Sequence, residues 1–219
     1  MSCKIRLMTK KDIPQVTVID REAFPTMWPP VNFNHELSNR LAHYAVACDG
    51  SQLVTNPIPK PGIRLVPVRS FLGLRWPFRT SPDPDRPAEP EIVEYITGFV
   101  GLWIMVDEAH IINIAVRELH RSKGIGELLL IASIDLASRL KASLVTLEVR
   151  ASNTVAQNLY LKYGFQKMGV RRGYYTDNRE DAFIMTTDII TSDSFKSRFR
   201  ELKEAHFQKM ADILYNLPA

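Results

Sequence analysis

Cysteine is scarce in this chain: of 219 residues only Cys3 and Cys48 carry a thiol. Their spacing matches no metal-ligand pattern and provides no framework of bridges, so a disulfide scaffold and a zinc module are both excluded. Reduced thiols in a cytoplasmic protein are the expectation. Long apolar runs are also missing. None approaches the roughly 20 residues that span a bilayer, and the opening Met-Ser-Cys-Lys-Ile-Arg offers no apolar signal segment. Neither sign of charge dominates: 28 Lys and Arg against 24 Asp and Glu leave +4. That mildly basic balance suits an anionic ligand or a ribonucleoprotein setting and selects neither. Internal repeats are absent. What is present is a hydrophobic content of 45%, enough for a real core within one domain with extensions.

Lys4 to Met8 reads as a strand. A helix follows from Thr9-Lys10-Lys11-Asp12, with Ile13, Val16, Ile19 and Phe24 on one stripe, and Pro25 ends it. Residues 33–41 predict a second helix and 43–49 a strand. Residues 51–90 then change character: nine of the 14 prolines fall between Pro57 and Pro90. Proline has no N–H for a sheet ladder, so this is a long inserted connection. Its middle, Arg69 to Arg79, mixes cations with large apolar groups. It reads either as a docking segment for a membrane surface or RNA, or as a loop that packs its aromatics on its own domain; the second is favoured. Strands are predicted at 92–106, 111–116, 144–149, 165–169 and 182–189. Asn153 is placed to cap a helix that runs to Tyr163 and closes at Gly164. Over 192–219, Phe195, Phe199, Leu202, His206, Met210, Ile213 and Leu217 keep steps of three and four, predicting a terminal helix.

The loop Arg121-Ser122-Lys123-Gly124-Ile125-Gly126 lies between the 111–116 strand and a helical run bearing Leu128, Leu129, Ala132, Leu136 and Leu140. Strand, glycine turn with cations, then helix start is a phosphate site in outline: backbone N–H groups converge on the anion and the helix dipole favours negative charge. A tight strand-to-helix connection would read the same way. A Walker loop needs Lys-Ser/Thr after its last glycine, and Glu127-Leu128 stands there. A dinucleotide fingerprint needs a third glycine, and Leu129 occupies its place.

The stretch Leu147-Glu148-Val149-Arg150-Ala151-Ser152-Asn153, followed by Ala156, Leu159-Tyr160 and Tyr163-Gly164-Phe165, gives the loop a context. With Arg121–Gly126 it resembles the GNAT superfamily of acetyl-CoA-dependent N-acetyltransferases. More narrowly it resembles the RimI-type enzymes, which acetylate the N-terminal alanine of a small-subunit ribosomal protein. Arg171-Arg172-Gly173-Tyr174-Tyr175 with Glu180-Asp181-Ala182 resembles the family's closing hairpin, and Glu22-Ala23-Phe24-Pro25 its first helix and loop. Arg117-Glu118 departs from the Asp-Pro often seen after the strand. The resemblance covers about 1–50 and 92–190. It implies an α/β GNAT fold: a central mixed, mostly antiparallel sheet flanked by helices, with the 51–91 insertion inside a 1–190 acetyltransferase domain and a helical extension over 191–219.

It also implies roles. Acetyl-CoA would be the co-substrate, with no metal. Its pyrophosphate would rest on Arg121, Ser122, Lys123, Gly124, Ile125, Gly126 and Glu127, and its pantetheine arm on Ile114, Ala115, Val116 and Asn153, although Asn153 serves equally as a helix cap. Glu148 would be the general base, with a pKa raised by partial shielding; the competing reading pairs it with Arg150 or another cation. Tyr160 would be the acid that protonates the CoA thiolate, with Tyr163 as a buried neighbour that the sequence does not distinguish from it. Phe24, Pro25, Trp28, Tyr174 and Tyr175 would wall a narrow slot for the acceptor. That acceptor would be a protein or peptide N-terminus, as in a ribosomal protein, in the cytoplasm, with no direct nucleic-acid binding and no transmembrane segment. A free α-amine near pKa 8 needs only modest base assistance. Two alternatives stand beside this reading: the same fold acting on lysine or a small amine, and a non-catalytic acyl-CoA-binding module.

Overall fold

The computed structural model describes residues 2–26, 29–56, 91–210 and 212–217. In chain order the elements are β1 (Cys3–Leu7), α1 (Ile13–Ala23), α2 (Phe33–Glu36), β2 (Ala42–Thr55), β3 (Ile92–Met105), β4 (Glu108–Val116), α3 (Ile125–Arg139), β5 (Leu144–Arg150), α4 (Thr154–Lys162), β6 (Phe165–Tyr175), β7 (Glu180–Thr187), α5 (Asp193–Lys209) and β8 (Ile213–Asn216). The strands form one sheet in the order β6-β7-β5-β4-β3-β2-β1-β8. The β4–β5 and β1–β8 pairs are parallel and the others antiparallel. The expected mixed, mostly antiparallel sheet flanked by helices is therefore present. Among the described residues no helix is long and apolar enough to cross a membrane.

Each sheet face has its own core. On one face α3 lies across β2, β3 and β4, and Leu128, Leu129, Ile131 and Ala132 are fully buried with Ile5, Val100 and Leu102. On the other, Val16 and Ile19 of α1 and Phe33 of α2 meet Tyr44, Val46, Ile96 and Phe99. Phe33 sits edge-on to both Tyr44 and Phe99 at 5.7 Å.

Strand β4 changes faces partway along. Ala109 and Ile111 belong to the α3 side, whereas Ile112 and Ala115 pack on the α1 side. The cause is a bulge: Leu102 pairs with Ile111 and Gly101 with Asn113, so Ile112 has no opposite residue. One unpaired residue reverses the in–out alternation for everything that follows. Asn113 is thereby turned toward Tyr44, and a Cβ at Gly101 would stand 2.4 Å from Asn113 Oδ1 and from the Tyr44 ring. Close approach, not a turn, requires this glycine.

Three expectations are corrected. The 33–41 helix stops at Glu36, although Asn32 caps it by accepting the His35 N–H at 3.2 Å. Ser38 and Asn39 end it with local bonds, Ser38 Oγ to the Asn34 carbonyl at 2.6 Å and the Leu41 N–H to Asn39 Oδ1 at 3.1 Å. The connection expected from 51 begins later, because β2 runs to Thr55 against β3. Its remainder, 57–90, lies outside the described residues, as does the Arg69–Arg79 docking reading. Finally, the terminal segment is not helical throughout. Met210 turns extended after α5, and Ile213 to Asn216 run as β8 beside β1. Steps of three and four continued past Lys209, but alternate burial of Ile213 and Tyr215 shows the period of two.

Candidate functional site

The parallel pair β4–β5 is joined only from Glu108↔Leu144 to Ile111↔Leu147. Beyond that point β4 stays paired to β3 and β5 to β7, and the two facing edges part. Between them lies a cavity of about 830 Å³. Ligand-sized clefts fall in this range. An unpaired strand edge inside a cleft leaves backbone groups that an extended ligand can satisfy.

Ile114, Ala115 and Val116 line this cavity from β4, and Arg121, Ser122, Gly124, Gly126 and Glu127 line it from the loop and first turn of α3. Ser122 (φ 60°) and Gly124 (φ 82°) are both left-handed, which bends the chain sharply into the helix. The Leu128 N–H is the first to find a helical acceptor, the Gly124 carbonyl at 3.0 Å. The N–H groups of Ile125, Gly126 and Glu127 precede it without intrahelical partners, an anion-receptive helix start. Two of the expected loop residues are placed differently. The Ile125 side chain is buried in the core, so only its N–H can serve, and Lys123 is not part of the lining.

Asn153 does both things asked of it. Its Oδ1 accepts the Ala156 N–H at 3.1 Å, capping α4, and the residue also lines the cavity. Its Nδ2 is the side-chain group left for a ligand. Tyr160 lines the cavity and is 5% exposed, its ring 5.6 Å from Phe165. Burial, with the Tyr175 hydroxyl nearby, pushes its pKa upward, so it stays a neutral O–H donor. Tyr163 points elsewhere: 2% exposed and outside the lining, it donates to Glu127 Oε1 at 2.7 Å. The two tyrosines that sequence could not separate thus face different partners.

Glu148 also lines the cavity, but its ionisation differs from expectation. His110 Nε2 lies 2.6 Å from Oε2 and Arg171 Nη2 3.0 Å from Oε1. The hydrogen bond to His110 is the main cause of a pKa held below the usual carboxylate value; burial opposes it, and Arg171 adds to it. The predicted upward shift is overturned because shielding is outweighed by these two partners. Arg150, the other partner considered, instead binds Asp177 at 2.8 Å and Glu180 at 3.1 Å and lies over the Tyr175 ring at 3.9 Å.

Phe24, Tyr174 and Tyr175 line the opposite end. The two tyrosine rings meet edge-on at 5.2 Å. Pro25 is not in the lining, and Trp28 lies outside the described residues. A bond joins the two loops that carry this end: Thr26 Oγ1 donates to Asp177 Oδ2 at 3.1 Å. His110 and Arg171 were missed as site residues. Parallel register brings His110 beside Thr146, two positions before Glu148 on β5, and nothing in a single strand's pattern announces which strand will be its neighbour.

Comparison with known proteins agrees with the fold. The Acetyltransferase (GNAT) family model matches residues 76–165. A provisionally named ribosomal protein bS18-alanine N-acetyltransferase of Bacillus subtilis (strain 168) is 33% identical over 186 residues, covering 84% of this chain and 95% of the relative. An N-alpha-acetyltransferase of Sulfurisphaera tokodaii is 30% identical over 187 residues, covering 85% and 93%. Among solved structures, the ribosomal-protein-S18-alanine N-acetyltransferase from Escherichia coli superimposes with a TM-score of 0.56 at 24% identity, over 85% of this chain and 94% of that one.

Proposed function

The chain belongs to the GNAT acetyltransferase family, and on that premise we propose that it transfers an acetyl group from acetyl-CoA to the N-terminal α-amine of a protein, the N-terminal alanine of a small-subunit ribosomal protein being the first candidate, in the cytoplasm. The observation that carries this reading is the cleft between β4 and β5, lined by an anion-receptive helix start and by Glu148, which His110 holds, together with Tyr160, Tyr174 and Tyr175.

Acetyl-CoA supplies an activated acetyl thioester. Its diphosphate fits the N–H groups of residues 125–127, and its pantetheine amides fit the free edge of Ile114–Val116, with Asn153 Nδ2 nearby. The same edge offers N–H donors to the negative charge that develops on the acetyl oxygen. Glu148 is ionised at neutral pH and so can accept a proton from the acceptor amine, directly or through water. Held by His110, it is a weak base, which suffices for an α-amine that needs only modest assistance. Tyr160 keeps its proton and can release it to the departing thiolate. Phe24, Tyr174 and Tyr175 leave a narrow apolar entrance, which suits a small first residue on an extended peptide and disfavours bulk.

A CoA-release assay across peptides tests this. Ala- and Ser-starting peptides should react faster than N-acetylated peptides of the same sequence carrying a lysine. Faster transfer to lysine would move the acceptor to side chains, and CoA binding without transfer to any amine would leave a binding module.

A further inference from the structure

The terminal helix α5 has no part in the reading above, yet it touches both elements that shape the cofactor end. At its start, Phe195 packs on Gly164, where an added Cβ would stand 3.4 Å from the ring, and Arg198 Nη2 donates to the Lys162 carbonyl at 2.9 Å. These contacts fix the end of α4. At its other end, His206 reaches the start of α3. Its Nδ1 is 3.4 Å from Glu127 Oε2, and its Cε1 would be 3.0 Å from a Cβ at Gly124, with Met210 Sδ at 3.4 Å. The imidazole fills the space that the missing side chain of Gly124 leaves behind the loop.

Glu127 is the joint of this arrangement. One carboxylate takes Lys162 Nζ and the Tyr163 hydroxyl of α4 and its end on Oε1, and faces His206 of α5 with Oε2. Three helices therefore meet at the residue whose N–H closes the anion-receptive turn. His206 is 4% exposed, and among the described residues no hydrogen bond reaches its Nε2. Burying a nitrogen without a hydrogen-bond partner is unfavourable. Packing alone would be served better by an apolar side chain, as at the other positions of the stripe.

We propose that His206 is a positioning residue for the cofactor: through Glu127 and Gly124 it holds the first turn of α3 so that its N–H groups converge on the diphosphate of acetyl-CoA. The inference rests on the cofactor reading of the loop. It makes the terminal segment part of the binding machinery.

Titration of the full chain with CoA, alongside steady-state kinetics, tests it. His206→Ala should weaken CoA binding and raise the KM for acetyl-CoA about tenfold, with kcat within about twofold. His206→Asn, which restores a donor near the Nδ1 position, should recover most of that loss, whereas His206→Gln, extended toward Nε2, should not. Phe207→Ala serves as the structural control, since Phe207 lies on the same helix against Tyr215 at 5.4 Å, away from the loop; it should lower Tm and leave CoA affinity unchanged. Unaltered affinity in His206→Ala, or an equal loss in Phe207→Ala, overturns the proposal while the cofactor reading stands. Failure of the wild type to bind CoA overturns both.

Discussion

His110 Nε2 and Glu148 Oε2 meet at 2.6 Å across two parallel strands, at the level where those strands stop pairing. The contact ties the proposed base to a second titratable group and keeps its carboxylate ionised. Replacing Glu148 with Gln should lower kcat by about 10²–10⁴-fold with CoA affinity retained, as for loss of a general base. Replacing His110 with Ala removes the largest influence holding Glu148 down, so its pKa rises. The acid limb of the kcat/KM profile should then shift to higher pH. A profile unchanged in position would mean that Glu148 is not the group being titrated.

The two tyrosines of α4 and its end should part company under substitution. Tyr160→Phe removes a hydroxyl that bonds to no described protein group, so Tm should hold while kcat falls by about 10²-fold. Tyr163→Phe removes the donor to Glu127 and should cost about 1 kcal/mol of stability with kcat largely kept. Parallel melts and initial rates on both variants decide it.

Gly101 and Gly126 carry opposite tolerances. A Cβ at Gly101 would meet Asn113 Oδ1 and the Tyr44 ring at 2.4 Å, so Gly101→Ala should destabilise by roughly 3 kcal/mol in urea titration. At Gly126 the nearest atom is Val116 Cγ2 at 3.8 Å and φ is not left-handed. Gly126→Ala should therefore be neutral or stabilising by up to about 1 kcal/mol, with CoA binding preserved. Strong destabilisation at Gly126 would contradict the loop geometry described above.

Asp20 is buried on α1, and among the described residues its Oδ1 has no hydrogen-bond partner. Burial pushes its pKa up to about 6, slightly offset by Arg21. In the unfolded chain an aspartate titrates near about 4. The folded state therefore holds this proton more tightly. Its contribution to stability is complete below about pH 4 and is lost as pH rises through about 6, on the order of 2 kcal/mol. Asp20→Asn should raise Tm relative to wild type at pH near 8, and the gap should close toward pH near 4. A gap independent of pH would remove the titration argument.

Much of the fold could be read from one chain. Local apolar pattern indicates β1, α1, α3 and β5, and α4 follows from Asn153, which caps where its position says it would, and from Gly164. The anchoring loop was legible because its glycines and the helix after it are contiguous. The charge state of Glu148 was not, because its partners arrive from β4 and from β6, and pairing partners are a property of register. The end of α5 departs from its sequence spacing for a related reason. Met210, Ile213 and Leu217 continue a helical spacing, but β1 offers an open edge that Ile213 to Asn216 occupy. A local pattern yielded to a distant hydrogen-bonding opportunity.

Pairing of Cys3 with Ile213 has a kinetic meaning as well. Strands β1 and β8 join segments more than two hundred positions apart, and such long-range pairings form slowly. During synthesis α1, α3 and the central strands are exposed and can condense first. The brace that α5 sets behind residues 124–127, and the strand that follows it, can be added only after residues 193–216 have left the ribosome. A nascent chain thus acquires its hydrophobic centre well before it acquires a firm grip on a diphosphate, and competence to bind should appear as a late, separable step in refolding.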